Sequence, residues 1–142
     1  MSRNAVLLSI HPTYADQIFA GTKRVELRRT RPPLVTGDLI VVYVTTPIKA
    51  IVGLVDVEGV MADRPHRLWT EVEHTAGITR DQFDRYYDGA STAFGILLRR
   101  ARNLARPLTL DDVQQQWRKF WPPQTYRSLS PEEMALIHTV AQ

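Results

Sequence analysis

The chain has 142 residues, a formal net charge of +3, 44% hydrophobic and 23% charged residues, and no cysteine. That is one domain's length with the composition of an ordinary globular protein, large enough for a core without covalent staples. Disulfides and thiolate metal sites are excluded, a reducing cytoplasm fits, and no apolar run approaches the roughly 18 residues that cross a membrane.

Ala5 to Ile10 is a short apolar run of β character. Pro12 and the polar residues after it end the run without a small-residue cleavage site, so it reads as a strand and not a signal peptide. Pro12 suits the first turn of a helix and Gly21 a left-handed cap at its end. Between them Tyr14 and Ile18, with Ala15 and Phe19 beside them, share a face at helical spacing. Val25 and Leu27 then alternate with Glu26 and Arg28, the period of a half-buried strand, until Pro32 and Pro33 break it. Gly37-Asp38 is a turn, and the β-branched run at 39–44 a buried strand.

Thr45 to Lys49 reads as a loop, and Ala50 to Val60 as a long strand with a bulge or bend at Gly53. This succession predicts a small curled sheet or barrel. A short helix is expected from Arg67 to His74, and a second opens at Thr79, with Gln82 at capping-box spacing, and stops near Gly89. Ala93 to Asn103 is a further strand. Thr109 caps a helix through Gln116 and Trp117 that Pro122-Pro123 ends, and Ser130, with Pro131 and Glu133, opens the last helix. Strands dominate to about residue 104 and helices follow. The expectation is a barrel domain over 1–104 and a helical extension over 105–142, whose Trp117, Phe120, Trp121 and Tyr126 dock onto the barrel.

The chemistry-bearing residues concentrate early. Glu26 and Arg28 project from one strand face, and Lys23 stands at that strand's mouth. Such a face does not enter a hydrophobic core unpaired. It is either a surface ion-pair ladder, worth little energetically, or a ligand-facing set in which Glu26 accepts a proton or a hydrogen bond. Spacing alone favours the ladder. His11 precedes Pro12 at a strand-to-helix junction, where an imidazole serves as a cap or binds an anion. Of Tyr86 and Tyr87, one is expected to pack and the other to project a ring.

Basic residues cluster at Lys23, Arg24, Arg28, Arg29 and Arg31 and again at Arg99, Arg100, Arg102 and Arg106, with acidic residues elsewhere, from Asp56 to Asp63 among other places. Side by side in the fold, the two clusters would form an anion-binding surface; apart, they are charged strand edges. Histidines 11, 66, 74 and 138 lack metal-ligand spacing, so no zinc site is expected. No P-loop, Rossmann, zinc-protease or nucleophile-elbow motif occurs.

Leu8-Ser9-Ile10-His11-Pro12, Ile18, Gly21-Thr22-Lys23 and Val25-Glu26-Leu27-Arg28 together resemble the opening of the ASCH domains, members of the PUA-like superfamily of small β-barrels. Gly37-Asp38, the strand at 39–44, Pro47, Ala50-Ile51-Val52-Gly53 and Tyr87-Asp88-Gly89 with Ala93 follow in the family's order, so the likeness covers roughly 5–104. It implies an α+β fold: a mixed β-barrel with flanking helices and a cleft beside the first helix. The superfamily includes RNA-binding modules and readers of modified bases, and some ASCH members are ribonucleases or amidohydrolases acting on N4-acetylcytidine.

Carried onto this sequence, the resemblance makes Lys23 the cleft lysine, Glu26 the acidic position and Arg28 the basic one, with His11 where many members have lysine. The amidohydrolases place a threonine nucleophile where Glu26 stands, and a carboxylate does not replace an activated alcohol, so that activity is not carried over.

The expectation is therefore a cytoplasmic protein without a cofactor, binding RNA or a nucleotide, or in a second option DNA, through His11, Lys23, Glu26, Arg28 and Tyr87. The alternative is a hydrolase working in the same cleft, a ribonuclease with or without a metal or a modified-nucleoside amidohydrolase, with Lys23, Glu26 and Tyr87 as catalytic candidates. Oligomeric state is not legible.

Overall fold

The computed structural model describes residues 3–141. Met1, Ser2 and Gln142, included in the expected bounds 1–104 and 105–142, lie outside the described residues. Strand β1 (Ala5–Ile10) leads into α1 (Pro12–Ala20), then β2 (Val25–Arg28), β3 (Leu39–Val44) and β4 (Ala50–Asp63). Helices α2 (Pro65–Val72) and α3 (Arg80–Tyr86) precede β5 (Ala93–Thr109), and α4 (Leu110–Gln116), β6 (Tyr126–Ser128) and α5 (Pro131–Ala141) complete the order. The architecture is α+β: six strands in the order β2-β5-β4-β3-β1-β6 form one sheet curled into a half-barrel. Only β1 and β3 run parallel; the other pairs are antiparallel.

The central strand β3 shows why its sequence does not alternate. Ile40, Val42 and Val44 face the inside of the curl with Val6, Leu8, Ile10 and the α1 residues Ala15 and Ile18. Leu39, Val41 and Tyr43 face the outside, where Leu108, Val113, Phe120 and Ile137 cover them. Both faces are buried, so both are apolar. A third cluster seats α2 and α3 on β2 through Val25, Leu27, Leu68, Val72, Phe83 and Tyr87.

The local signals act as their chemistry requires. His11 caps α1, its Nδ1 accepting the Thr13 N–H at 3.2 Å, and Gly21 closes the helix at φ +87°. Thr79 and Gln82 complete a capping box at α3. Gly53 sits at a register shift, and a Cβ there would come within 2.5 Å of the Arg102 carbonyl and the Phe19 ring.

Three features differ from the sequence expectation, one of them the short strand β6 within a segment expected to be helical. β4 and β5 run to Asp63 and Thr109, past Val60 and Asn103, because repeated register shifts bend the pair and let it wrap the sheet instead of ending. The boundary expected at residue 104 thus falls inside β5, and Leu104 shares a cluster with Leu7, Val113 and Ile137. Of the C-terminal aromatics, Phe120 is buried and Trp117 packs against the same cluster, whereas Trp121 and Tyr126 remain exposed.

Candidate functional site

The sheet order leaves β2 and β6 as edges that do not hydrogen-bond to each other. A cleft of about 250 Å³ opens between β2 and the junction of β1 with α1; Ser9, His11 and Tyr14 form one wall and Lys23, Glu26, Arg28 and Tyr86 the other. Ser9 Oγ donates to the Pro123 carbonyl at 2.6 Å, which brings the C-terminal segment up to the cleft.

Lys23 sits at the floor. Gly21 turns the chain out of α1, and the backbone N–H of Lys23 donates to the Gln17 carbonyl, directing the side chain inward. The residue is 3% exposed; its Nζ donates to the Ala76 carbonyl, lies 3.9 Å from Glu26 Oε1 and stands 5.1 Å from the centre of the Tyr14 ring. Burial draws the ammonium below its ordinary pKa, Glu26 pulls it back up, and Arg28 lowers it further. Glu26, 9% exposed, also receives the Arg28 Nη2–H at 2.9 Å. Lys23 and Glu26 are buried and Arg28 is half-buried, so the surface ladder that spacing favours is replaced by an enclosed triad. Lys23 and Arg28 share one carboxylate, and among the described residues no other lies within 4.0 Å of either.

His11 lines the cleft at its rim, with Nδ1 accepting the Thr13 N–H and Nε2 left for the cleft. The tyrosine assignment needs correction. Tyr87 is 3% exposed, packs against the Phe83 ring and donates its hydroxyl to the Phe94 carbonyl at 3.1 Å; burial raises its pKa, and it does not line the cleft. Tyr86, 40% exposed, takes that place, with its hydroxyl donating to the Leu27 carbonyl at 3.2 Å. Two adjacent tyrosines near a helix end point to different sides, and sequence alone does not say which faces inward. Tyr14 and Ser9 also line the cleft; helical spacing marks Tyr14 only as a packing residue of α1, and no side-chain pattern marks Ser9 as a cleft residue.

The two basic clusters do meet. Arg24, Arg99 and Arg100 line one depression near the end of α1, and the Leu98 N–H donates to the Arg24 carbonyl. Asp56, expected among acidic residues elsewhere, lies inside this cluster, bridging Arg3, Arg100 and Arg102 at 3.2–3.3 Å. Part of the positive charge is therefore spent within the protein. No group of three or more His, Asp or Glu side chains able to hold a metal forms among the described residues. None of the described helices is long and apolar enough to cross a membrane.

These features define a PUA-like half-barrel with a charged cleft at its open seam. The chain belongs to the ASCH domain family, whose model matches residues 8–127. It is 30% identical over 131 residues to an ASCH domain-containing ribonuclease of Zymomonas mobilis, covering 92% of this chain and 88% of that protein. The crystal structure of ASCH from Zymomonas mobilis superposes with a TM-score of 0.92 at 29% identity, covering 98% of this chain and 96% of that one. The N-terminal domain of Staphylothermus marinus McrB has the same fold at a TM-score of 0.62 and 13% identity, over 98% of each chain.

Proposed function

We propose that this protein binds single-stranded RNA, seating one nucleotide in the cleft of Lys23, Glu26 and Arg28. The observation that carries the reading is the charge triad: two cations around one carboxylate leave a net positive charge directed into a small cavity. A phosphate complements that charge, and low dielectric strengthens the attraction. Glu26 accepts a hydrogen bond from an exocyclic amine or ring N–H, while Tyr14 and Tyr86 offer faces on which a base stacks.

A short single-stranded RNA titrated at two salt concentrations tests this. Binding should weaken with salt, Tyr86→Ala should lose about ten-fold in affinity, and Tyr87→Phe should bind as wild type does. Absence of binding at low salt would overturn the proposal.

The ribonuclease relative favours a second reading, cleavage of the bound strand. The ribose 2′-oxygen would attack phosphorus and give up its proton to a base. The bond to the 5′-oxygen would break as that oxygen gains a proton from an acid, leaving a cyclic phosphate and a 5′-hydroxyl. Lys23, with its pKa drawn down, supplies more neutral amine than an exposed lysine and is the candidate base. The candidate acid is the His11 imidazolium, formed when Nδ1 releases the Thr13 N–H and takes a proton, and Arg28 is the group that offsets the charge of the phosphorane. Sizing the RNA after the titration separates the readings: shortened RNA at catalytic protein levels supports cleavage, and intact RNA overturns it while leaving binding in place.

A further inference from the structure

Beyond the cleft, on the far side of Arg28 and Tyr86, the seam continues as a second groove of about 340 Å³. One wall comes from the end of β2 and the residues after it, Arg28, Arg29 and Thr30; the other is Thr125 and Tyr126 at the start of β6. The groove exists because both edges stop short. Pro32 and Pro33 follow too closely on β2 for it to extend, and β6 is only three residues long. Arg28 and Tyr86 line both cavities, so the two are neighbours along one path.

The side chains of this groove are those that hold a flexible polyanion with flat bases. Tyr126 is 41% exposed, although it begins a strand and could have been covered by α5. Arg29 reaches across to donate to the Tyr86 carbonyl at 3.1 Å, placing a second guanidinium beside the first. Arg28 uses Nη2 on Glu26, and its Nε–H has no acceptor among the described residues.

We propose that this groove is a second nucleotide subsite, in which the base next to the one in the cleft stacks on Tyr126 and the phosphate joining the two nucleotides lies at Arg28, with Arg29 beside it. The inference rests on the RNA-binding reading and deepens it: the ligand is a strand of at least two nucleotides, not a free nucleoside. It also gives the C-terminal segment a part in recognition as well as in packing.

The test uses the full chain, a fluorescein-labelled single-stranded RNA hexamer and adenosine monophosphate. Tyr126→Ala should lose about ten-fold in affinity for the hexamer and none for the mononucleotide; Tyr126→Phe should keep both. Arg29→Ala probes the groove from the opposite wall, away from the β6 pairing, and should weaken hexamer binding several-fold with a shallower salt dependence. Wild-type hexamer affinity in Tyr126→Ala and Arg29→Ala would overturn the subsite and leave the cleft standing. An equal loss for both ligands would also overturn it, because it would mark a disturbed cleft. A wild-type protein that binds neither ligand would overturn the RNA reading and the subsite together.

Discussion

Lys23→Met is expected to lower affinity for single-stranded RNA by about a hundred-fold, the effect of truncating one partner of a buried charge set. Lys23 lies at the cleft floor, touches the carboxylate it shares with Arg28, and supplies half of the positive charge there. Without it, Glu26 and Arg28 neutralise each other and the cavity has no net charge for a phosphate. Fluorescence anisotropy with a short RNA reads the loss directly; wild-type affinity in the variant would remove Lys23 from the site.

The same substitution has a stability signature whose sign is fixed by the lysine's environment. Its folded pKa lies below the ordinary 10.5. Between the folded and unfolded values the unfolded chain holds a proton that the folded one has released, so stability rises with pH across that window. The melting temperature of wild type relative to Lys23→Met should therefore increase as pH is raised toward 10.5. A difference independent of pH would mean that Lys23 titrates as an exposed lysine does.

Truncation after Arg106 is expected to leave a chain that aggregates instead of a smaller folded domain. The cut removes Leu108, Val113, Phe120 and Ile137, which cover the outer face of β1, β3 and β4. Each buried side chain of this size contributes roughly 1.5–3 kcal/mol, and together they match the whole stability of an ordinary domain, about 5–15 kcal/mol. Leu7, Val41 and Tyr43 would face water as a contiguous apolar surface. Size-exclusion chromatography with a thermal melt checks this; a monomeric truncated chain with a cooperative transition would restore the extension as a separate unit.

What was legible in the sequence had a local cause. The cap of α1 could be read because Pro12 and Gly21 satisfy or spare backbone groups within a few residues of themselves. The capping box at Thr79 and the cap at Thr109 could be read for the same reason. The pairing of Glu26 with Arg28 follows from the period of a strand, and both residues line the cleft. Tyr86 and Tyr87 were not separable, because α3 ends between them and the direction of each ring depends on where β2 and Phe83 lie. Nothing local to Ser9 or Tyr126 marks either as a cavity wall. The first meets the Pro123 carbonyl from 114 positions away, and the second becomes a groove wall only because β6 pairs with β1.

The sequence by itself therefore determined most of the elements, though neither β6 nor the ends of β4 and β5, together with the ASCH-like order of the first strands and helix and the spacing of Lys23, Glu26 and Arg28. Each of these is set by groups close together in the chain, where periodicity and capping chemistry act. The tertiary structure alone decided that Lys23 and Glu26 are buried, that Asp56 neutralises part of the basic cluster, and that the seam between β2 and β6 stays open as a path past Arg28. Burial, screening and cavity shape depend on residues distant in sequence being brought together, and the curl of the bulged β4–β5 pair does this.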